Sequence, residues 1–141
     1  MKNTVKILII YFVLSFGNIS FAQKPEFEKV FNSRDVQNVE FNKKELKKNY
    51  YQATYYLYND QVDEALILFA KMALNDPSNS NLLYHVGLCY YLKGNYPASK
   101  KYFIIASEST SKKYRDNVFE RSAPPEVFNY LEEIERVTEK N

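Results

Sequence analysis

The chain has 141 residues, with 19 Lys plus Arg against 17 Asp plus Glu, and only one His, one Cys and three Gly. So few glycines leave no phosphate-cradling loop or nucleophile elbow to be written, and a single histidine excludes multi-histidine metal sites. The lone Cys89 rules out an intramolecular disulfide, and its place in an apolar helical pattern marks it as a small packed hydrophobe.

The first 22 residues read as a secretory signal peptide: a basic start at Lys2 and Lys6, an uncharged apolar run from Ile7 to Phe16, then Ser20-Phe21-Ala22 with small residues where a peptidase reads. The run is shorter than the ~20 residues that span a bilayer, so cleavage after Ala22 is expected. No Cys directly follows to carry a lipid anchor. The product is expected to be soluble in the periplasm, with full secretion as the alternative. The leader holds two Lys and no acid, which leaves 17 basic against 17 acidic residues. No global field therefore points to nucleic acid or an anionic membrane.

Residues 23–41 form a polar lead-in with a short helix through Phe27, Val30 and Phe31, and residues 42–141 form the helical domain. The first firm helix is predicted from Asn42, with Glu45 reaching back in a capping box and Phe41 stapled to Leu46, running to about Tyr58. Asn59-Asp60-Gln61 breaks the pattern and supplies the next N-cap from Asp60 or Asn59. Ala65, Leu66, Phe69, Met72 and Ala73 recur at the 3.6-residue helical spacing from Val62 onward. Asn75-Asp76-Pro77 ends that helix because Pro cannot continue it. A third helix spans about Ser80 to Lys93 and is closed by Gly94 in left-handed geometry. A fourth has Pro97 in its first turn and reaches about Glu108. The polar stretch Ser109–Arg121 follows, then a last helix restarting at Ala123-Pro124-Pro125 with Val127, Phe128, Leu131 and Ile134 on one face. The fold class is all-α.

Ala53, Tyr56, Ala65, Phe69 and Ala73 map onto Gly87, Tyr90, Ser99, Phe103 and Ser107 at a constant offset of 34 residues. Small matches small and aromatic matches aromatic, the mark of stacked helical repeats. With Leu83, Val86, Gly94, Tyr96, Ala106 and the Asp76-Pro77 ending, these residues resemble the tetratricopeptide repeat (TPR) family over about two and a half repeats. The Asp76-Pro77-Ser78-Asn79 turn, Gly87-Leu88-Cys89-Tyr90-Tyr91 and Ala123-Pro124-Pro125 are similar to the periplasmic TPR segment of OmpA-like outer-membrane proteins. The likeness covers that TPR segment alone, and the expectation is of a scaffold without that group's peptidoglycan-binding domain.

The resemblance implies a solenoid whose first helices line a concave face. That face would carry Lys47, Tyr50, Thr54, Leu57 and Tyr58 from one unit and Asn81, Tyr84, Leu88, Tyr91 and Leu92 from the next. It would form a groove for a protein or peptide segment in the cell envelope, since tyrosine joins an apolar body to a polar tip. The blander reading is that several of these tyrosines fill a small core. The expected function is a non-catalytic scaffold with no cofactor and no metal. The alternative is a structural unit that completes its unfinished stack with another copy, as a homodimer. A hydrolase is the weakest reading, because His85 sits between Tyr84 and Val86 as a packed helix residue with no catalytic set around it.

Overall fold

The computed structural model describes residues 41–140, so the signal peptide and all of the lead-in but Phe41 lie outside the described residues. The described chain forms α1 (Lys43–Tyr58), α2 (Val62–Asn75), α3 (Ser80–Leu92), α4 (Tyr96–Ala106) and α5 (Val127–Thr138). Each helix packs on the next in order, α1 on α2 through to α4 on α5. Among the described residues the only extended pairing is one isolated bridge between Thr110 and Ala123.

Local chemistry sets the helix ends. Asn42 Oδ1 accepts from the Lys44 and Glu45 amides at 3.0 Å each, and Glu45 Oε2 accepts from the Asn42 amide at 3.2 Å. This completes the predicted capping box and satisfies donors that a helix start leaves orphaned. Asn79 and Asn95 cap α3 and α4 by accepting from Leu82 and Ala98, each at 3.2 Å.

The expectation for the α1–α2 turn needs correction. Gln61 is the N-cap of α2 and makes no side-chain capping bond. Asn59 instead donates back to the Tyr55 carbonyl at 2.7 Å, and Asp60 adopts φ 59°. Both residues therefore terminate α1 rather than start α2. The Gln61 amide donates to the Tyr56 carbonyl at 2.9 Å and Asp60 to Leu57 at 3.3 Å, while Asn95 donates to Tyr90 and Gly94 to Tyr91, both at 2.9 Å. These are the paired bonds of a Schellman turn. They recur at Gly94, where φ is 73°.

Left-handed backbone suits glycine and strains a residue with a Cβ. Asp60→Gly should therefore raise stability by about 0.5–1 kcal/mol, and Gly94→Ala should lower it by about 1 kcal/mol. Paired urea titrations of the two variants check this. Equal and opposite shifts of negligible size would show that the turns are relaxed.

The small positions let the helices approach closely. Ala53, Ala65, Ala73, Ser99 and Ala106 are wholly buried beside Phe69 and Phe103. A Cβ built on Gly87 would lie 2.8 Å from the Phe103 ring, and Ser99 Oγ donates to the Gly87 carbonyl at 2.8 Å. The predicted limits of α4 and α5 shift slightly. α4 stops at Ala106, and α5 begins at Val127 because Ala123 is held in the bridge to Thr110.

Candidate partner-binding face

The segment between α4 and α5 decides which of the expected partner-binding residues stay open. Residues 107–126 close on themselves where the Ala123 amide donates to Ser109 at 2.7 Å and Ser111 donates to Ala123 at 3.1 Å. The segment then lies as a strap against the starts of α1 and α3. Its far end is held by Arg121, which forks onto the Asp76 carboxylate with Nη2 at 2.9 Å from Oδ1 and also reaches Ser78 Oγ at 3.1 Å. The Arg121 hydrogen bonds hold the Asp76 carboxyl below its usual range. The Arg121 carbonyl accepts from the Asn81 amide at 3.2 Å.

Beneath the strap sits a polar network. Asn81 Nδ2 donates to the Tyr50 hydroxyl at 2.9 Å and to the Asn117 carbonyl at 3.3 Å, while Asn81 Oδ1 accepts from the Tyr114 hydroxyl at 2.8 Å. The Tyr50 hydroxyl donates to Asp116 Oδ1. Tyr114 approaches the same oxygen at 3.4 Å, and His85 Nε2 lies 3.4 Å from it. His85 Nδ1 is 2.8 Å from the Asn81 carbonyl, and its ring stacks on Phe69 with centroids 4.4 Å apart. His85 is thus walled by aromatics and tied at both nitrogens, an anchoring rather than a substrate-facing arrangement.

Electrostatics follow from this geometry. Burial alone raises the Asp116 carboxyl, but hydrogen bonds from His85, Tyr50 and Tyr114 outweigh it, and the net displacement is downward. Burial, then the Asp116 contact, pushes the Tyr50 hydroxyl far up, so it remains a donor. A carboxyl depressed in the folded state stabilises the fold above its unfolded value of about 3.9, and that contribution is lost as pH falls through the folded value. Acid titration of unfolding should therefore fall less steeply below about pH 4 in Asp116→Asn than in the parent. Coincident acid limbs would remove Asp116 from the account.

The residues expected on the face divide into two groups. Tyr50, Asn81 and Tyr84 are buried, and Asn81 is 0% exposed. Thr54 is buried too, with its hydroxyl donating to the Tyr51 carbonyl at 3.0 Å. Tyr50 and Asn81 face the chain's own strap and Tyr84 faces α5, so these three line no open groove. Tyr84 leans toward Phe103 and Tyr130, with centroids at 5.7 and 6.3 Å. Lys47 and Tyr58 face solvent, Tyr58 at 84% exposure, while Leu88 and Tyr91 are half-buried. Tyr91 packs edge-on to Tyr130 at 4.9 Å. Leu57 is half-buried, and Leu92 is 53% exposed. An ion pair between Lys93 and Asp63 ties the residue after α3 to the first turn of α2.

Tyr114, Asp116, Asn117 and Arg121 were not among the residues expected at this face. Their one signal is that the polar stretch is longer than a repeat turn requires and concentrates side chains able to bond backbone and carboxylate. Among the described residues no cluster of three or more His, Cys, Asp and Glu could hold a metal. Cys89 is fully buried, and burial pushes its thiol up to about 12, which leaves it unreactive. No described helix is long and apolar enough to cross a membrane.

The described residues form an all-α domain of five sequentially packed helices, with the segment after α4 laid over Tyr50 and Asn81. No family model matches the chain, and no curated protein or solved structure matches it either.

Proposed function

We propose that the chain is an exported, non-catalytic TPR-type scaffold that docks a segment of an envelope protein on the open end of its concave face. The observation that carries this reading is the uneven burial of the face. The half around Tyr50 and Asn81 is filled by the strap, whereas Tyr58 and Leu92, at matching repeat positions, stay exposed. Exposed aromatic and aliphatic side chains beside the half-buried Leu88 and Tyr91 are the kind of cluster that anchors a partner. The repeated Schellman turns at Asp60 and Gly94 and the close Gly87–Phe103 contact support the TPR reading.

A photo-crosslinking residue at position 58 or 92 should capture a defined envelope protein, identified by mass spectrometry. The same residue at Lys71, on α2, should not. With that partner purified, Tyr58→Ala/Leu92→Ala should weaken binding by about thirtyfold, the loss of a typical hot spot. Undiminished binding would sink the docking site. A second reading, self-association, rests on different residues.

A further inference from the structure

Among the described residues the helix stack has two unlike ends. α5 turns outward a polar face with Glu132, Glu133, Arg136 and Glu139 exposed and Phe128 as its one exposed large apolar side chain. That is what a terminal helix needs for solubility. α1 turns outward Tyr51, Tyr55 and Tyr58, all exposed and on one helical stripe, flanked by exposed Lys44, Lys47 and Lys48. Beside it a groove of about 290 Å³ between α1 and α2 is walled by Tyr56, Ile67 and Leu68, with Lys48 in its lining.

The two ends are complementary in charge. Within α1 four Lys stand against Glu45, whose carboxylate is engaged in the capping box, giving a net +3. Within α5 three Glu stand against Arg136, giving a net −2, with Glu135 paired to Lys100 at 3.2 Å, and beyond the helix Glu139 and Lys140 offset each other. An exposed aromatic stripe on a basic helix end is not what an isolated solenoid terminus carries.

We infer that the α1 end of one copy receives the α5 face of a second, so that chains associate head to tail. Lys44, Lys48, Tyr51 and Tyr55 form one side of the contact and Phe128, Glu132 and Glu139 the other. Phe128 supplies the apolar knob for the groove, and Glu132, one turn further on, meets the lysines. The contact joins unlike patches, so each bound copy leaves another α1 end free and assembly grows with concentration unless a ring closes. Exposed ion pairs weaken as salt shortens the screening length to ~3 Å at 1 M, so assembly is salt-sensitive.

The test is sedimentation of the protein expressed from the full-length reading frame, over a concentration series at low and high salt. The parent should form larger species as concentration rises and fewer at high salt. Lys44→Glu/Lys48→Glu and Glu132→Lys/Glu139→Lys should each associate about tenfold more weakly alone. An equimolar mixture of the two should associate again, because reversing both sides restores opposite charge. All four positions are exposed, and circular dichroism with a cooperative melt verifies folding. Phe128→Gln supplies an independent variant expected to weaken assembly to a similar degree.

A parent that stays monomeric at every concentration would overturn the inference. The α1 end would then be covered by the chain's first 40 residues or by another protein. Association unchanged in both charge-reversed variants, or lost in both and not regained on mixing, would overturn it equally.

Discussion

Asn81→Ala should lower the free energy of unfolding by about 3 kcal/mol, the largest effect expected of any polar substitution in this chain. Asn81 lies at the second residue of α3, fully buried, and makes three side-chain hydrogen bonds, to Tyr50, Asn117 and Tyr114. Alanine removes all three and leaves the Asn117 carbonyl without that donor. Tyr50 and Tyr114 keep only their approach to Asp116. An orphaned buried polar group costs about 1–3 kcal/mol, more than an average hydrogen bond contributes. Asn81→Asp should be at least as damaging, because it deletes the donor and sets a second carboxylate near Asp116.

The same substitution should loosen the strap. Lys112, Lys113 and Arg115 are exposed within it, and trypsin should cut there faster in Asn81→Ala at a protein concentration and temperature where the fold persists. Cleavage tracks the population of the open segment when opening is fast relative to cutting. A loss under about 1 kcal/mol with unchanged strap cleavage would mean that Arg121 and the Thr110–Ala123 bridge hold the segment without the network.

Gly87→Ala should destabilise by about 1–2 kcal/mol, although alanine is the better helix former by about 1 kcal/mol. The added Cβ would fall 2.8 and 2.9 Å from two carbons of the Phe103 ring. That ring has little freedom to retreat, being stacked on Tyr130 at 5.2 Å and leaning on Tyr84 at 5.7 Å. The position 34 residues earlier is Ala53, fully buried, where the reverse substitution Ala53→Gly should also destabilise, by about 1 kcal/mol from lost helix propensity. Opposite changes at equivalent positions thus both lower stability, one through overpacking and one through backbone entropy. Denaturant titration of the pair decides it. A stabilised Gly87→Ala would show that the α3–α4 contact relaxes freely.

Much of this architecture is legible before any coordinates, because it is written in short-range chemistry. Asn42 and Glu45 are three residues apart and find each other whatever the rest of the chain does. Gly94 and the Asp76-Pro77 ending stop helices through their own backbone limits. Asp60 shows the limit of that reasoning. Its composition favours a cap, but the turn geometry that ends α1 places it in left-handed backbone before α2 begins.

The sequence by itself determined five helices and most of their limits, though not the N-cap of α2 or the ends of α4 and α5, because these depend on contacts three or four residues apart and on a 3.6-residue period. Which tyrosines would be covered was decided only by the tertiary structure. Tyr50 and Tyr58 sit on the same helix with the same chemistry, yet one is 1% exposed and the other 84%. Tyr50 packs edge-on to Phe69 and His85 and donates to the carboxylate of Asp116, 66 residues away in sequence, whereas Tyr58 ends α1 in solvent. A carboxylate in a polar loop reads as solvated until chain closure brings one of its oxygens to Tyr50 and His85, with the side chain still 37% exposed.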